Sequence, residues 1–219
     1  MKTLTCGIPQ GSTLGPLLFL LYINDLPNSS KKLKFRIFAD DTNIFYTSNS
    51  LDELERVVNE ELANVLKYCS ANKLSINYKK TNYMLITTSK RKPNITITAC
   101  NITKKSQIKY LGVFIDEHLT WDTQLKHVNN KLTKNIAILY KLRYFLSINA
   151  SKQLYYSFIY PYLNYGLMSW GTAYQSRLKK IKTKQNNCLR CIFFAKKQES
   201  ASPFYTILGI LKIENIFKL

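Results

Sequence analysis

The sequence predicts an α+β unit over residues 1–118, followed by an all-helical unit over residues 119–219. Three observations carry that reading. Short aromatic and β-branched runs bounded by turn residues fill the first half, beside one long stripe of helical period. Past residue 118 the apolar positions recur only at helical spacing. The charge changes at the same place. Residues 1–118 carry 16 Lys or Arg against 10 acidic residues, a net of +6, whereas 119–219 carry 16 against Asp122, Glu199 and Glu214, a net of +13.

Taken in order, Cys6–Ser12 is turn-like and Gly7–Gly11 is a loop punctuated by glycine and proline. A buried helix follows from about Pro16 to Asn24, with the proline tolerated in its first turn. Lys34–Ala39 and Asn43–Tyr46 read as two strands around Asp40-Asp41, a hairpin with an acidic tip. Ser50 with Glu53 forms a capping box, and Leu51, Leu54, Val57, Val58, Leu62, Val65 and Leu66 give the next helix its core face. Asn82–Thr87, Ile95–Thr98 and Ile108–Ile115 read as strands. In the second unit, Leu125, Val128, Leu132, Ile136 and Leu139 form one helical stripe. Leu154, Tyr155, Phe158 and Ile159 form another, stopped by Pro161. A third helix is expected over about Gln175–Ala195, with Leu178, Ile181, Leu189 and Ile192 inside and Arg177, Lys179, Lys180, Lys182 and Lys184 on its other face.

Composition narrows the class of function. The chain has 219 residues, 46% hydrophobic and 13% aromatic, which suits folded domains with real cores. A formal charge of +19 suits a polyanionic partner such as nucleic acid. Lys outnumbers Arg 26 to 6, so base composition of the gene competes as a source of the charge. The five cysteines, Cys6, Cys69, Cys100, Cys188 and Cys191, are odd in number and scattered, which fits a reducing compartment. Cys188-x-x-Cys191 stands without a second pair, so zinc is not expected. Gly15 and Pro16 interrupt the run Leu14–Ile23, which is too short to span a bilayer and has no cleavage site after it. No membrane association is expected; the protein should be intracellular, nuclear or cytoplasmic, and not secreted.

The chemistry concentrates at Phe38-Ala39-Asp40-Asp41. Neighbouring residues of a flat strand point to opposite faces, so two adjacent carboxylates converge only at a turn or bulge. Once converged they repel unless divalent cations neutralise them. A pair of such ions can activate a hydroxyl and stabilise a leaving pyrophosphate. Small Ala39 would let a polymer approach closely. About thirty residues upstream, the glycines of Gly7-Ile8-Pro9-Gln10-Gly11 permit close backbone approach and positive φ, and Gln10 offers both a donor and an acceptor. Taken alone, an acidic hairpin tip is more often a solvated turn, and the glycine-rich block is a plain turn before a helix.

Their order and spacing are more specific. Gly7-x-Pro9-Gln10-Gly11-Ser12-x-x-Gly15-Pro16-x-Leu18-Phe19 precedes Tyr22-x-Asn24-Asp25-Leu26-Pro27 and then Phe38-Ala39-Asp40-Asp41-Thr42. This succession resembles the palm of non-LTR retrotransposon reverse transcriptases, especially the jockey-like group. The first block looks like motif B, which implies that Gly7, Pro9, Gln10 and Gly11, with Phe38 and Ala39, line the template and nucleotide pocket. Asp40 and Asp41 look like motif C, the metal-binding hairpin. Leu74-Ser75-Ile76-Asn77-x-x-Lys80-Thr81 looks like motif D, whose lysine, here Lys80, would act as general acid. Tyr110-Leu111-Gly112 resembles motif E, the primer grip. Downstream, Pro161-x-Leu163-x-Tyr165-Gly166, Trp170-Gly171, Gln185-Asn186 and Arg190 match the same group, and the helical half looks like the thumb.

The resemblance implies an incomplete right-hand polymerase palm followed by a helical thumb. The implied activity is RNA-directed DNA polymerisation from dNTPs onto a primer 3′-hydroxyl. Two Mg²⁺ ions, replaceable by Mn²⁺, would serve it in the complete enzyme. The implied partners are an RNA template, a DNA primer, the fingers and motif A segment, and an endonuclease domain of a parent polyprotein. The family's third carboxylate, in motif A, belongs on a strand well upstream of motif B, and Asp25 does not replace it. The chain is therefore expected to be truncated and inactive alone. Two alternatives stand: a non-catalytic nucleic-acid-binding remnant, and a reverse transcriptase of the group II intron maturase type.

Overall fold

The computed structural model describes residues 11–87 and 94–218. They divide into two compact units, the first within 11–83 and 94–105 and the second within 84–87 and 106–218. The sheets are small: the described strands form three separate two-stranded pairs.

In the first unit, α1 spans Gly15–Ile23 with Pro16 in its opening turn. A 3₁₀ turn over Leu26–Ser29 follows. The antiparallel pair β1 (Lys34–Phe38) and β2 (Asp41–Phe45) is in register from Lys34↔Phe45 to Phe38↔Asp41. Helix α2 spans Leu51–Ala71, and its buried residues Val57, Glu61, Val65 and Cys69 recur every fourth position. Its cap is more elaborate than the simple box expected. Ser50 Oγ accepts from Glu53 N at 3.4 Å, but the Glu53 carboxylate accepts from Ser48 Oγ at 2.6 Å, and Ser48 Oγ in turn accepts from Ser50 N. The core of this unit gathers Ile23, Leu26, Leu33, Phe35, Val65 and Cys69. The Tyr22 hydroxyl donates to the Asn72 carbonyl at the end of α2. Within the Tyr22–Pro27 block, Ile23 and Leu26 therefore pack the core and Tyr22 ties down the end of α2.

Two expected strands are corrected. Only β3 (Asn82–Tyr83) forms within 82–87, pairing in parallel with β4 (Thr103–Lys104). Residues 95–98 are not a strand, because a side chain replaces the ladder. Asn59 on α2 donates to Thr96 O at 2.9 Å and accepts from Thr98 N at 2.6 Å and Ala99 N at 3.1 Å.

In the second unit, the expected single strand over 108–115 is instead a hairpin of β5 (Gln107–Tyr110) and β6 (Val113–Asp116). Helix α3 spans Asp122–Leu142, burying Leu125, Val128, Leu132 and Leu139, with Ile136 partly covered. Helix α4 is Ile148–Phe158, capped by Ser147 Oγ on Ala150 N. Tyr155 and Ile159 are fully buried, whereas Phe158 is exposed rather than inside. As expected, α4 stops ahead of Pro161, and the proline itself sits in the first turn of a new short helix, α5 (Tyr160–Asn164), where its missing N–H costs nothing. The short α6 (Leu167–Trp170) leads to α7 (Gln175–Ile192), then α8 (Ser202–Leu208) and α9 (Ile213–Ile216). Ile181, Leu189 and Ile192 lie inside α7 as the stripe requires, with Leu178 partly covered.

Helices α3 and α7 run side by side in the same direction. At their starts Arg177 reaches Asp122 at 2.8 Å and Thr120 O at 2.8 Å. At their ends the Arg143 guanidinium lies 4.6 Å from the centre of the Phe194 ring. Gln185, fully buried in α7, donates to Tyr155 Oη and Leu211 O, both at 2.9 Å, and accepts from Ile213 N at 3.0 Å. Asn186 accepts from Tyr205 Oη at 2.8 Å, and Arg190 donates to Glu199 O at 2.8 Å. The downstream blocks of the motif pattern are thus internal wiring of this unit.

Candidate active site

The β1–β2 hairpin closes with a two-residue loop, Ala39-Asp40, before Asp41 opens β2. Ala39 has φ +50°, the sign that the first position of a tight II′ hairpin turn demands and that favours glycine. Asp40 therefore occupies the turn itself and Asp41 the first paired position. Both carboxylates are exposed, and Phe38, 62% exposed, flanks them at the end of β1. Hard carboxylate oxygens at an open apex suit Mg²⁺, which typically takes one or two carboxylates and leaves its other positions to water and phosphate. Among the described residues no group of three His, Cys, Asp or Glu comes together, yet all 13 acidic residues of the chain lie among them.

Lys80 is exposed on a turn that Asn77 builds. Lys80 N donates to Asn77 O at 3.0 Å, and Thr81 Oγ1 donates to the same carbonyl at 2.9 Å. The Asn77 side chain also accepts from Lys80 N at 3.3 Å. Gly11, with φ +93° and open space where a Cβ would sit, enters the turn before α1. Gly7, Pro9 and Gln10 lie outside the described residues.

Tyr110 ends β5, and Leu111-Gly112 forms the loop of the second hairpin, with φ +43° and +84°. Positive φ at both loop positions is the type I′ signature, and Leu111 holds it at a cost of about 1–2 kcal/mol that glycine would not incur. Neighbouring groups impose it. The Tyr165 hydroxyl donates to Leu111 O, and a Cβ on Gly112 would stand 3.2 Å from Tyr165 Cε1. Gly166, at φ +67°, lies so close to Val113 that a Cβ there would be 2.8 Å from Val113 Cγ2. Trp170, fully buried, donates from Nε1 to Tyr165 O at 2.8 Å. The sequence showed Tyr165-Gly166 and Trp170-Gly171 as a pattern, but not that they brace the Tyr110–Gly112 turn.

Asp116, at the end of β6, also escaped the sequence reading. Burial pulls its carboxyl upward, but N–H donors of Thr120, Trp121 and His118 and the Thr120 hydroxyl together hold it below the ordinary range. These bonds set the turn that launches α3, where Trp121 stands at φ +64°.

The five cations that the sequence places on the outer face of α7 divide into two kinds. Arg177 is committed to Asp122 and Thr120, and Lys182 to Glu214 at 2.7 Å. Lys179 and Lys180 are exposed and Lys184 half-buried. Glu199 accepts from Lys196 N at 2.9 Å. A groove of about 780 Å³ between α7 and α9 is crossed by the Lys182–Glu214 pair and edged by Lys179, Asn186 and Phe217. Cys188 and Cys191 are both buried, and burial pushes both thiols upward, so neither is poised as a thiolate ligand. No helix of the described residues is long and apolar enough to cross a membrane.

Comparison with known proteins adds family evidence. The model of the reverse transcriptase (RNA-dependent DNA polymerase) family matches residues 2–115. A probable RNA-directed DNA polymerase from transposon BS of Drosophila melanogaster is 30% identical over 207 residues, covering 87% of this chain and 22% of its own length. That from the X-element of the same fly is 30% identical over 194 residues, covering 85% and 21%. The RNA-directed DNA polymerase from mobile element jockey of Drosophila funebris is 28% identical over 216 residues, covering 94% and 23%. The chain thus spans little more than a fifth of the length of these relatives. No solved structure matches it.

Proposed function

The chain belongs to the reverse transcriptase (RNA-dependent DNA polymerase) family, and from that premise we propose that it carries the metal-binding hairpin, primer grip and thumb of a jockey-like mobile element's polymerase. The observation that carries this reading is the β1–β2 apex. It sets Asp40 and Asp41 side by side, open to solvent, on a loop with positive φ. Two adjacent carboxylates open to solvent at a hairpin apex are hard oxygen donors of the kind a divalent cation would take there.

Asp40 and Asp41 would hold two Mg²⁺ ions, with Mn²⁺ an accepted substitute. When bound, the metal supplies activation of the primer 3′-hydroxyl and charge stabilisation of the departing pyrophosphate. Ala39 keeps the apex low enough for a polymer to reach it. Lys80, exposed on its Asn77-built turn, would donate a proton to the leaving pyrophosphate. The Tyr110–Gly112 turn would position the primer backbone on an RNA template. Gly7, Pro9, Gln10 and Gly11 would line the pocket together with Phe38 and Ala39. The third carboxylate, and an endonuclease domain, would come from chain beyond these 219 residues, since the described carboxylates assemble no trio. On its own the chain would therefore bind nucleic acid without copying it.

Primer extension on an RNA template tests both statements. The 219-residue chain should give no product with Mg²⁺, and the chain joined to a relative's upstream segment should. In the joined protein Asp40→Asn should lower kcat by at least a thousandfold, about 4 kcal/mol, with the melting temperature unchanged. Extension that survives Asp40→Asn would overturn the assignment of the hairpin.

A further inference from the structure

Because α3 and α7 run parallel, their C-terminal ends meet, and an unusual group of side chains collects there. Arg143 closes α3 and lies over three rings, 4.0 Å from the centre of Tyr140, 4.6 Å from Phe194 and 4.9 Å from Tyr144. Its guanidinium also donates to Tyr144 Oη at 2.9 Å. Tyr144 and Phe194 meet edge to face at 5.2 Å. The rings remain largely open to solvent, and the adjoining Phe145 is 86% exposed.

The backbone at Phe194 strengthens the case. Helix α7 ends in a paired closure, with Ala195 N donating to Arg190 O at 3.0 Å and Phe194 N to Cys191 O at 3.4 Å. This closure requires a left-handed residue at its pivot, where glycine is the usual choice. Here the pivot is Phe194, at φ +55°. Phe193 beside it turns inward and stacks on Phe204 at 4.5 Å, so the core does not need a second ring. A large aromatic residue in a position that glycine would fill without strain points to a use for the ring.

The charge around the rings selects the partner. Lys141, Lys196 and Lys197 are exposed close by in the chain, and Glu199 has its carboxylate on Lys196 N. Open aromatic faces beside three exposed lysines and one glutamate suit bases with phosphates attached. They do not suit an intact duplex, whose bases are already stacked on one another.

We infer that the joined ends of α3 and α7 are a stacking platform for single-stranded nucleic acid. Tyr144, Phe145 and Phe194 receive bases, and Arg143, Lys141, Lys196 and Lys197 meet phosphates. It is separate from the cationic start of α7, because Lys180 and Phe194 are 14 residues apart, about 20 Å along a helix. The inference takes nucleic acid as the ligand from the family reading but needs no catalysis, so failure of primer extension leaves it standing.

Fluorescence anisotropy of the 219-residue chain tests it with two labelled probes, an unstructured 12-nucleotide RNA and a blunt RNA–DNA hybrid of equal length. Phe194→Gly and Phe145→Ala should each weaken single-strand binding about tenfold. Hybrid binding should change less than twofold, and the salt slope should hold because the phosphate contacts remain. Phe194→Gly suits the pivot's backbone, and Phe145 is too exposed to support the core, so both variants should melt like the parent. Unchanged single-strand affinity in both variants would overturn the platform. So would equal losses on the two probes, or loss of self-association with RNA binding intact, which would assign the rings to a protein contact.

Discussion

Glu61 lies on the inner face of α2 with its carboxylate turned onto the bend that leads into β1. The Ser30 hydroxyl donates to it, holding its carboxyl below the ordinary range; burial pulls the other way, and the Lys31 N–H at 3.2 Å helps the lowering. Because the folded pKa is lowered, the stability it contributes is fully present above the ordinary glutamate value of about 4.3. That stability is lost as pH falls through the lower folded value. Asp116 acts in the same direction in the second unit, so only the difference between variant and parent isolates Glu61. Glu61→Gln should cost about 1–2 kcal/mol at neutral pH and flatten the acid side of the stability curve, read from urea midpoints from about pH 6 down to about pH 2. An acid side identical to the parent's would show that the carboxylate is not a stabilising group. Glu61, Asn59 and Gln185 share one reason for being illegible in the sequence. Each is polar on a helix, where composition suggests solvent, and each is instead spent on backbone or hydroxyl groups distant in the chain. Asp40 and Asp41 were legible because adjacent carboxylates between two strand-like runs leave few places for the turn.

Periodicity located α2, α3 and α7 to within a few residues, because each buries a stripe broad enough to survive local exceptions. It missed the β5–β6 turn. Tyr110, Leu111 and Val113 continue an apolar run across it, and only Gly112 marked the reversal. At the same scale, α7 offers the sharpest test of its charge. Arg177 and Lys182 are neutralised within the unit and Arg190 is spent on Glu199 O and Asn187 Oδ1, which leaves Lys179, Lys180 and Lys184 as the cations of this helix available to a partner. Replacing Lys180 and Lys184 with alanine should weaken duplex binding for all sequences alike. It should also lower the log–log salt slope by roughly two. Stability should move by about half a kcal/mol or less. An unchanged slope would mark the face as merely solvated and the excess of lysine as a product of base composition.

Across the whole molecule, the second unit has a self-contained core built on Trp170, Tyr155, Leu132, Ile181 and Leu189. The first unit does not close its surface in the same way. Leu14, Leu17, Leu18, Leu20, Leu21 and Tyr22 of α1 and its approach stay exposed, with Leu21 at 66%. The outer edges of the β1–β2 pair carry no further strand among the described residues. An apolar patch beside open strand edges favours association. The isolated chain should therefore grow in hydrodynamic size with concentration, measured by sedimentation. Leu17→Gln with Leu21→Gln, one helical turn apart and both outward, should shift it toward monomer. A parent chain that sediments as a single monomer throughout the micromolar range would contradict this. The helix expected to be buried from Pro16 to Asn24 is instead largely exposed, with Ile23 its one buried residue, because a uniformly apolar helix has no polar face to reveal which side lacks a cover.

The bracing of the Leu111–Gly112 turn has a consequence in entropy. A free hairpin tip samples many conformations and must give them up when a strand docks on it. Here Tyr165, Gly166 and Trp170 have already removed that freedom within the folded protein, so docking carries little further ordering cost. Were the tip to receive the primer as proposed, affinity there would be set partly by the residues that hold the turn in shape. Loosening Tyr165 would speed dissociation while leaving every contacting atom in place.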